Sequence, residues 1–231
     1  MFNSPNKVET STQGLWSVED KCFHINILDL KAVLFGLQSL CYHISNTHVL
    51  VRSDNTTVVS CINNKGSSRS SDLDELSRLI WNWCTDRKIW ISCAHIAGTD
   101  NTAADELSRK FHLDTEWKLH SGLLQEALQM LGVSPDIDLF ASQLNHQFER
   151  YVSFRPDPNA CMTDAFSMSW NGYSIYCFPP FSLLPRVLRK ITSDQAEGLV
   201  IAPVWKNQLF WPMLTSMLRQ HPVLLSSRES L

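Results

Sequence analysis

Asp29, Asp54, His95 and Asp105 are the residues whose types and spacing could do chemistry in the first half of the chain. His95 and Asp105 stand ten positions apart in "HIAGTDNTAADELSR"; Asp29 and Asp54 lie far upstream. Carboxylates brought together repel one another unless a cation neutralises them. Mg2+ suits such oxygen ligands, keeps several waters and accepts phosphate oxygens. Two such ions can activate a water and stabilise the leaving oxygen of a phosphodiester. Each residue also has a plainer role. Asp29 and Asp54 could cap helices, and Asp105 could pair with Arg109 one turn on.

The elements that must position these groups are readable from periodicity. In "INILDLKAVLFGLQSLCYHI", Ile27, Leu30, Leu34, Leu37 and Ile44 recur at helical spacing, with Asn26 as cap and Asp29 three residues later. "THVLVRS" is short and β-branched and reads as a strand ending just before Asp54. "DNTTVVSCINN" and "SDLDELSRLIWNWCTDR" read as helices, the second capped by Ser71. "KIWISCAHI" alternates into a strand, "AGTD" turns, and "NTAADELSRKF" is a helix with Asn101 as its cap. "GLWS", Gly14–Ser17, reads as a strand end. Asp54 thus sits where a strand gives way to a helix, the edge at which sites collect in open α/β sheets.

From residue 113 the texture changes. "EWKLHSGLLQEALQMLG" is a helix stopped by Gly132. "DIDLFAS", "YSIYCFPPF", "GLVIAPVW" (a buried strand) and "PVLLS" read as strands, and "LLPRVLRKI" and "NQLFWPMLTSMLRQ" as helices. Alternating strands and helices predict a second α/β unit. The expected organisation is a disordered stretch over 1–12, one domain over 13–112 and a smaller one over 113–231. Trp81 and Trp90 read as core, and Trp83 as a surface position.

The 231 residues are 44% hydrophobic and 19% charged, the balance of a globular protein. Up to residue 112 there are 11 basic and 12 acidic residues, and beyond it 9 and 11, so binding of nucleic acid by bulk charge is excluded and any contact must be local. No apolar run approaches a bilayer span and the N-terminus has no secretory pattern, so no membrane partner is expected. The seven cysteines are odd in number and lack C-x-x-C spacing. They predict reduced, mostly buried thiols and an intracellular protein of cytoplasm or nucleus.

Three motifs in the first half occur in a known order: "HINILDLKAVLFGLQSL", "VLVRSDNTTVVSCINNKG" and "AHIAGTDNTAADELSR". Together they resemble the ribonuclease H domain of reverse transcriptases, most closely that of DIRS-type retrotransposon polyproteins, over about residues 14–112. The resemblance implies a ribonuclease H-like mixed sheet with helices. It implies metal-dependent hydrolysis of RNA in RNA–DNA hybrids, with Asp29, Asp54 and Asp105 as ligands of a two-ion Mg2+ site and His95 aiding proton transfer or product release. It further implies nucleic acid (an RNA–DNA hybrid or DNA) and the remainder of the polyprotein as partners. Two departures weaken the site. The family's opening strand, which carries a fourth acid, has no counterpart, and none of Glu9, Glu19 and Asp20 lies in a strand-like context. Asp29 stands where the family has Glu, one methylene shorter. A truncated domain with little or no ribonuclease activity is expected, which leaves open a non-catalytic descendant that binds nucleic acid or protein.

The second half, with "DIDLFASQLN", "YCFPPF" and "GLVIAPVW", resembles the domain that follows ribonuclease H in those elements, itself similar to Rossmann-like adenine DNA methyltransferases. The resemblance implies S-adenosylmethionine held at Asp138, and a loop Phe178, Pro179, Pro180, Phe181 gripping a flipped adenine. Phe181 can still stack, but Phe178 has no side-chain acceptor, and Ala141 and Ser142 replace the glycines that favour a close backbone approach. Methylation is therefore disfavoured. Asp138 and Asp164 also read as turn residues, and the two prolines as a rigid turn.

Overall fold

The first helix, α1 (Ile25–Leu40), buries Leu30 and Leu37, one stripe of its apolar pattern. The computed structural model of the protein describes residues 10–14, 16–109 and 117–225, without the side chains of residues 103 and 107–109. The chain divides into two units: residues up to Phe111 with Pro156–Pro158, and His112–Arg155 with the remainder from Asn159.

In the first unit β1 (Thr47–Ser53) leads into α2 (Thr56–Asn63) and α3 (Ser71–Asp86), then β2 (Ile89–His95) and α4 (Thr102–Arg109). β1 and β2 pair in parallel, with Ser53 beside His95. Ile89, Ile91 and Cys93 point from β2 into a core with Leu30 and Leu37 of α1, Val58 and Ile62 of α2, and Leu76 and Ile80 of α3. The outer edge of β2 is closed by Asn63, whose amide donates to the Cys93 carbonyl at 2.8 Å and accepts the Cys93 N–H at 2.9 Å. That side chain does for β2 what a neighbouring strand would do.

The second unit contains α5 (Ser121–Leu131), β3 (Ile137–Ala141), β4 (Tyr151–Ser153), β5 (Met162–Thr163), β6 (Ser174–Cys177), α6 (Leu184–Asp194), β7 (Glu197–Val200) and α7 (Phe210–Ser216). Its five strands run in the order β5-β4-β3-β6-β7, with every pairing parallel. The chain winds outward in both directions from β3 and β6, so a topological switch point lies between them. The core gathers Ile137, Leu139, Val152, Ile175, Val187 and Trp170, and the Trp170 indole N–H donates to the Ala165 carbonyl at 2.7 Å. Burying that indole requires such a partner.

Several expectations are corrected. α1 is capped by His24, whose Nδ1 accepts the Asn26 N–H at 3.2 Å, so Asn26 lies inside the helix. Ser70, not Ser71, caps α3. Gly132 does end α5, in the left-handed conformation at φ 63°. The first unit's sheet is a parallel pair, and no antiparallel strand of a mixed sheet is found among the described residues. No strand forms at Trp16–Ser17 or over 222–225. β7 is an edge strand and is not buried. Trp90 is 59% exposed because it alternates outward from β2, and the Lys65 ammonium lies over both it and Trp81. Trp83 is partly buried against the first core, with Arg87 stacked on its ring. The second unit is not the smaller one. The expected disorder over 1–12 falls largely on residues outside those described; 10–12 form no helix or strand. Cys61, Cys84, Cys93 and Cys177 are buried and all seven cysteines are free thiols.

Candidate functional site

The parallel pairing of β1 and β2 places the residues that follow each strand at one sheet edge. Asp54 comes directly after β1, His95 ends β2, and the Ile96 N–H donates to the Ser53 carbonyl at 3.0 Å. The next turn also approaches Asp54, since a Cβ added at Gly98 would stand 3.7 Å from its Oδ2. Asp54 and His95 are both exposed.

Asp29 reaches this edge through Asn55. The Asn55 amide donates to Asp29 Oδ2 at 2.8 Å and to Asn26 Oδ1 at 2.9 Å, while its own Oδ1 accepts the Thr57 N–H at 2.9 Å and caps α2. One side chain thus ties α1 to the turn between β1 and α2. Asn55, not Asp54, therefore caps α2: of the two adjacent acceptors, the one placed by the turn to meet the Thr57 N–H takes the role. The bridge to Asp29 was not legible in the sequence, since it joins positions distant along the chain. Replacing Asn55 with Ala is expected to destabilise the first unit by about 1–3 kcal/mol, by removing a cap and leaving Asp29 without that donor. A lower urea midpoint would show this, and an unchanged midpoint would contradict the bridge.

Asp105 lies on α4, half-buried, and its N–H donates to the Asn101 carbonyl at 3.0 Å, so Asn101 stands at the mouth of that helix as expected. The Arg109 side chain, its possible partner, is outside the described residues. Among the described residues no three His, Cys, Asp or Glu side chains are grouped so as to hold a metal ion. Asp29 accepts the Asn55 amide through Oδ2 alone, which leaves its remaining lone pairs for other donors or a cation. The edge brings Asp29, Asp54 and His95 to one end of the strand pair without completing a cation site.

In the second unit the sequence-derived residues fall at the switch point. Asp138, on β3, is 2% exposed. Its Oδ1 accepts the Phe140 N–H at 3.3 Å and its Oδ2 the Gln147 N–H at 3.1 Å. Burial pushes its carboxyl up to about 6, partly offset by those two donors. Asp138 therefore anchors the turn after β3. Both oxygens face backbone inside the unit. Tyr176, its register neighbour on β6, keeps a buried hydroxyl without a partner among the described residues, and burial together with Asp138 raises its pKa. Phe178, Pro179, Pro180 and Phe181 follow β6, with Pro179 buried and the Pro180 carbonyl accepting the Leu183 N–H at 2.8 Å. The turn reading of the prolines describes this loop. Asp164 likewise caps a short turn, accepting the Phe166 N–H at 3.0 Å.

Residues 13–111 match the family model described as "Reverse transcriptase-like". The chain is also similar to the "Enzymatic polyprotein" of Cauliflower mosaic virus, strains D/H and Strasbourg. Each is 33% identical over 106 residues, covering 43% of this chain and 14% of the viral protein. The chain thus spans about 14% of the length of the curated relatives it matches. No solved structure matches it. The two similarities support a protein derived from a retroelement polyprotein. No helix among the described residues is long and apolar enough to cross a membrane.

Proposed function

We propose that the first unit is a ribonuclease H-like domain of DIRS-type ancestry that binds nucleic acid, an RNA–DNA hybrid foremost, and hydrolyses it weakly or not at all. The observation that carries this reading is the shared edge of the β1–β2 pair, where Asp54, His95 and, through Asn55, Asp29 converge. That edge is where an open α/β sheet presents its ligand groups. The weak activity follows from the donor set. Among the described residues no three His, Cys, Asp or Glu side chains are grouped for the cation that such hydrolysis uses. The remainder of a reverse transcriptase polyprotein is the natural protein partner. An S-adenosylmethionine-dependent second unit is not part of this reading, because Asp138 is 2% exposed with both oxygens turned to backbone N–H groups.

The test is incubation of the whole chain with a labelled RNA–DNA hybrid and Mg2+. Cleavage is expected to be no greater than that of Asp54→Asn, while the hybrid is retained in a gel-shift assay. Robust cleavage abolished by Asp54→Asn would overturn the claim of weak activity, and failure to retain the hybrid would overturn the binding.

A further inference from the structure

An aromatic group stands at the carboxyl edge of the second sheet that the acidic residues do not explain. Phe181 touches Trp117 at 4.7 Å between ring centroids and Trp205 at 5.2 Å, both edge-on. Phe178 adjoins it, 6.2 Å from Trp117 and 6.4 Å from Phe181. Phe178 and Phe181 follow β6 and Trp205 follows β7. The segment carrying Trp117 is tied to the turn after β3: the Asn145 amide donates to the Trp117 carbonyl at 3.3 Å and the Lys118 ammonium to the His146 carbonyl at 3.1 Å. Two strand ends and the segment before α5 therefore bring rings to one place beside the switch point, where doubly wound sheets take ligands.

The two phenylalanines are half-buried, whereas Trp117 remains 44% exposed and Trp205 48%. A cluster serving only as core would bury its largest rings. Each exposed tryptophan is followed by an exposed lysine, Lys118 and Lys206. Rings that can take a planar π system, each next to a cation, match a strand of unpaired bases and phosphates. A duplex keeps its base faces within its own stack and has none to offer.

We propose that Trp117 and Trp205, braced by Phe178 and Phe181 and flanked by Lys118 and Lys206, form a stacking platform for single-stranded nucleic acid. The platform lies wholly in the second unit and does not rest on the reading of the first.

The test is fluorescence anisotropy of a labelled oligothymidine of about 12 nucleotides, within the site sizes of such platforms, titrated with the whole chain. Binding should weaken as salt rises and exceed that of the corresponding duplex. Trp205→Ala and Trp117→Ala should each weaken it about 5- to 150-fold, the range of one lost stacked base. Trp205→Phe should retain most of the affinity, Lys206→Glu should lower it, and Trp90→Ala, an exposed tryptophan of the first unit, should leave it unchanged. Absence of binding at low salt, preference for the duplex, or affinity unchanged from the parent chain in Trp205→Ala and Trp117→Ala would overturn the proposal. The hybrid assay with first-unit variants fails or succeeds separately.

Discussion

Gly198→Ala is expected to detach β7 from the second sheet and to lower the stability of that unit by about 3 kcal/mol or more, the upper end of the cost of overpacking. Gly198 lies in β7 opposite Ile175 of β6. A Cβ built there would stand 2.6 Å from the Ile175 backbone nitrogen and 2.7 Å from its carbonyl carbon, and closer still to its carbonyl oxygen. Those neighbours are main-chain atoms of a central strand, so no rotamer change relieves the overlap. Amide hydrogen exchange in peptides covering β6 and β7 would read the effect as lost protection. Full protection in the alanine variant would mean that the two strands do not approach as described. The consequence reaches the aromatic platform too, because β7 delivers Trp205 to it. Gly198→Ala should therefore weaken oligothymidine binding without touching any ring.

The second large effect is a loss of stability in the second unit as pH rises from about 4 to about 7. Asp138 has its carboxyl raised from 3.8 to about 6 in the folded protein, mainly by burial. The folded state therefore holds a proton that the unfolded chain has released between those two values. Stability from this group is fully present below 3.8 and is lost as pH rises through about 6. A shift of that size corresponds to about 3 kcal/mol. Exchange protection of β3 and β6, corrected for the intrinsic rate at each pH, should fall across this window in the parent chain. In Asp138→Asn, which cannot ionise, it should stay flat there. The variant has its own cost, since an amide oxygen can replace only one of the two carboxylate oxygens that hold the Phe140 and Gln147 N–H groups. A parent chain as flat as the variant would show that Asp138 meets solvent more freely than its burial implies.

How much of this was legible in advance differs between elements for physical reasons. The helices α1, α3 and α6 and the strands β1, β2 and β3 were all readable, because their periodicity records burial on one face or both. β4 and β5 were not: at Tyr151–Ser153 and Met162–Thr163 they are too short to show a period. The caps moved by a residue or two, to His24 and Ser70, since neighbouring residues offered comparable acceptors and local geometry chose between them. β7 read as buried from its apolar composition, yet it lies at the sheet edge. Position in a sheet is set by strand order, which composition does not carry. Trp90 read as core, but it alternates outward from β2 and stands 59% exposed.

The sequence by itself determined the longer helices and strands, that Asp54 follows a strand, that a cap stands at the junction after it, and that no bulk positive charge draws nucleic acid to this chain. These are local matters of periodicity, capping chemistry and composition. Only the tertiary structure decided that Asn55 holds Asp29, that Asp138 turns inward to the backbone of its own turn, and that Trp117 and Trp205 meet over Phe181. Each of these joins residues that the chain keeps apart. Which distant groups meet depends on the order and pairing of strands, a consequence of packing the whole unit at once.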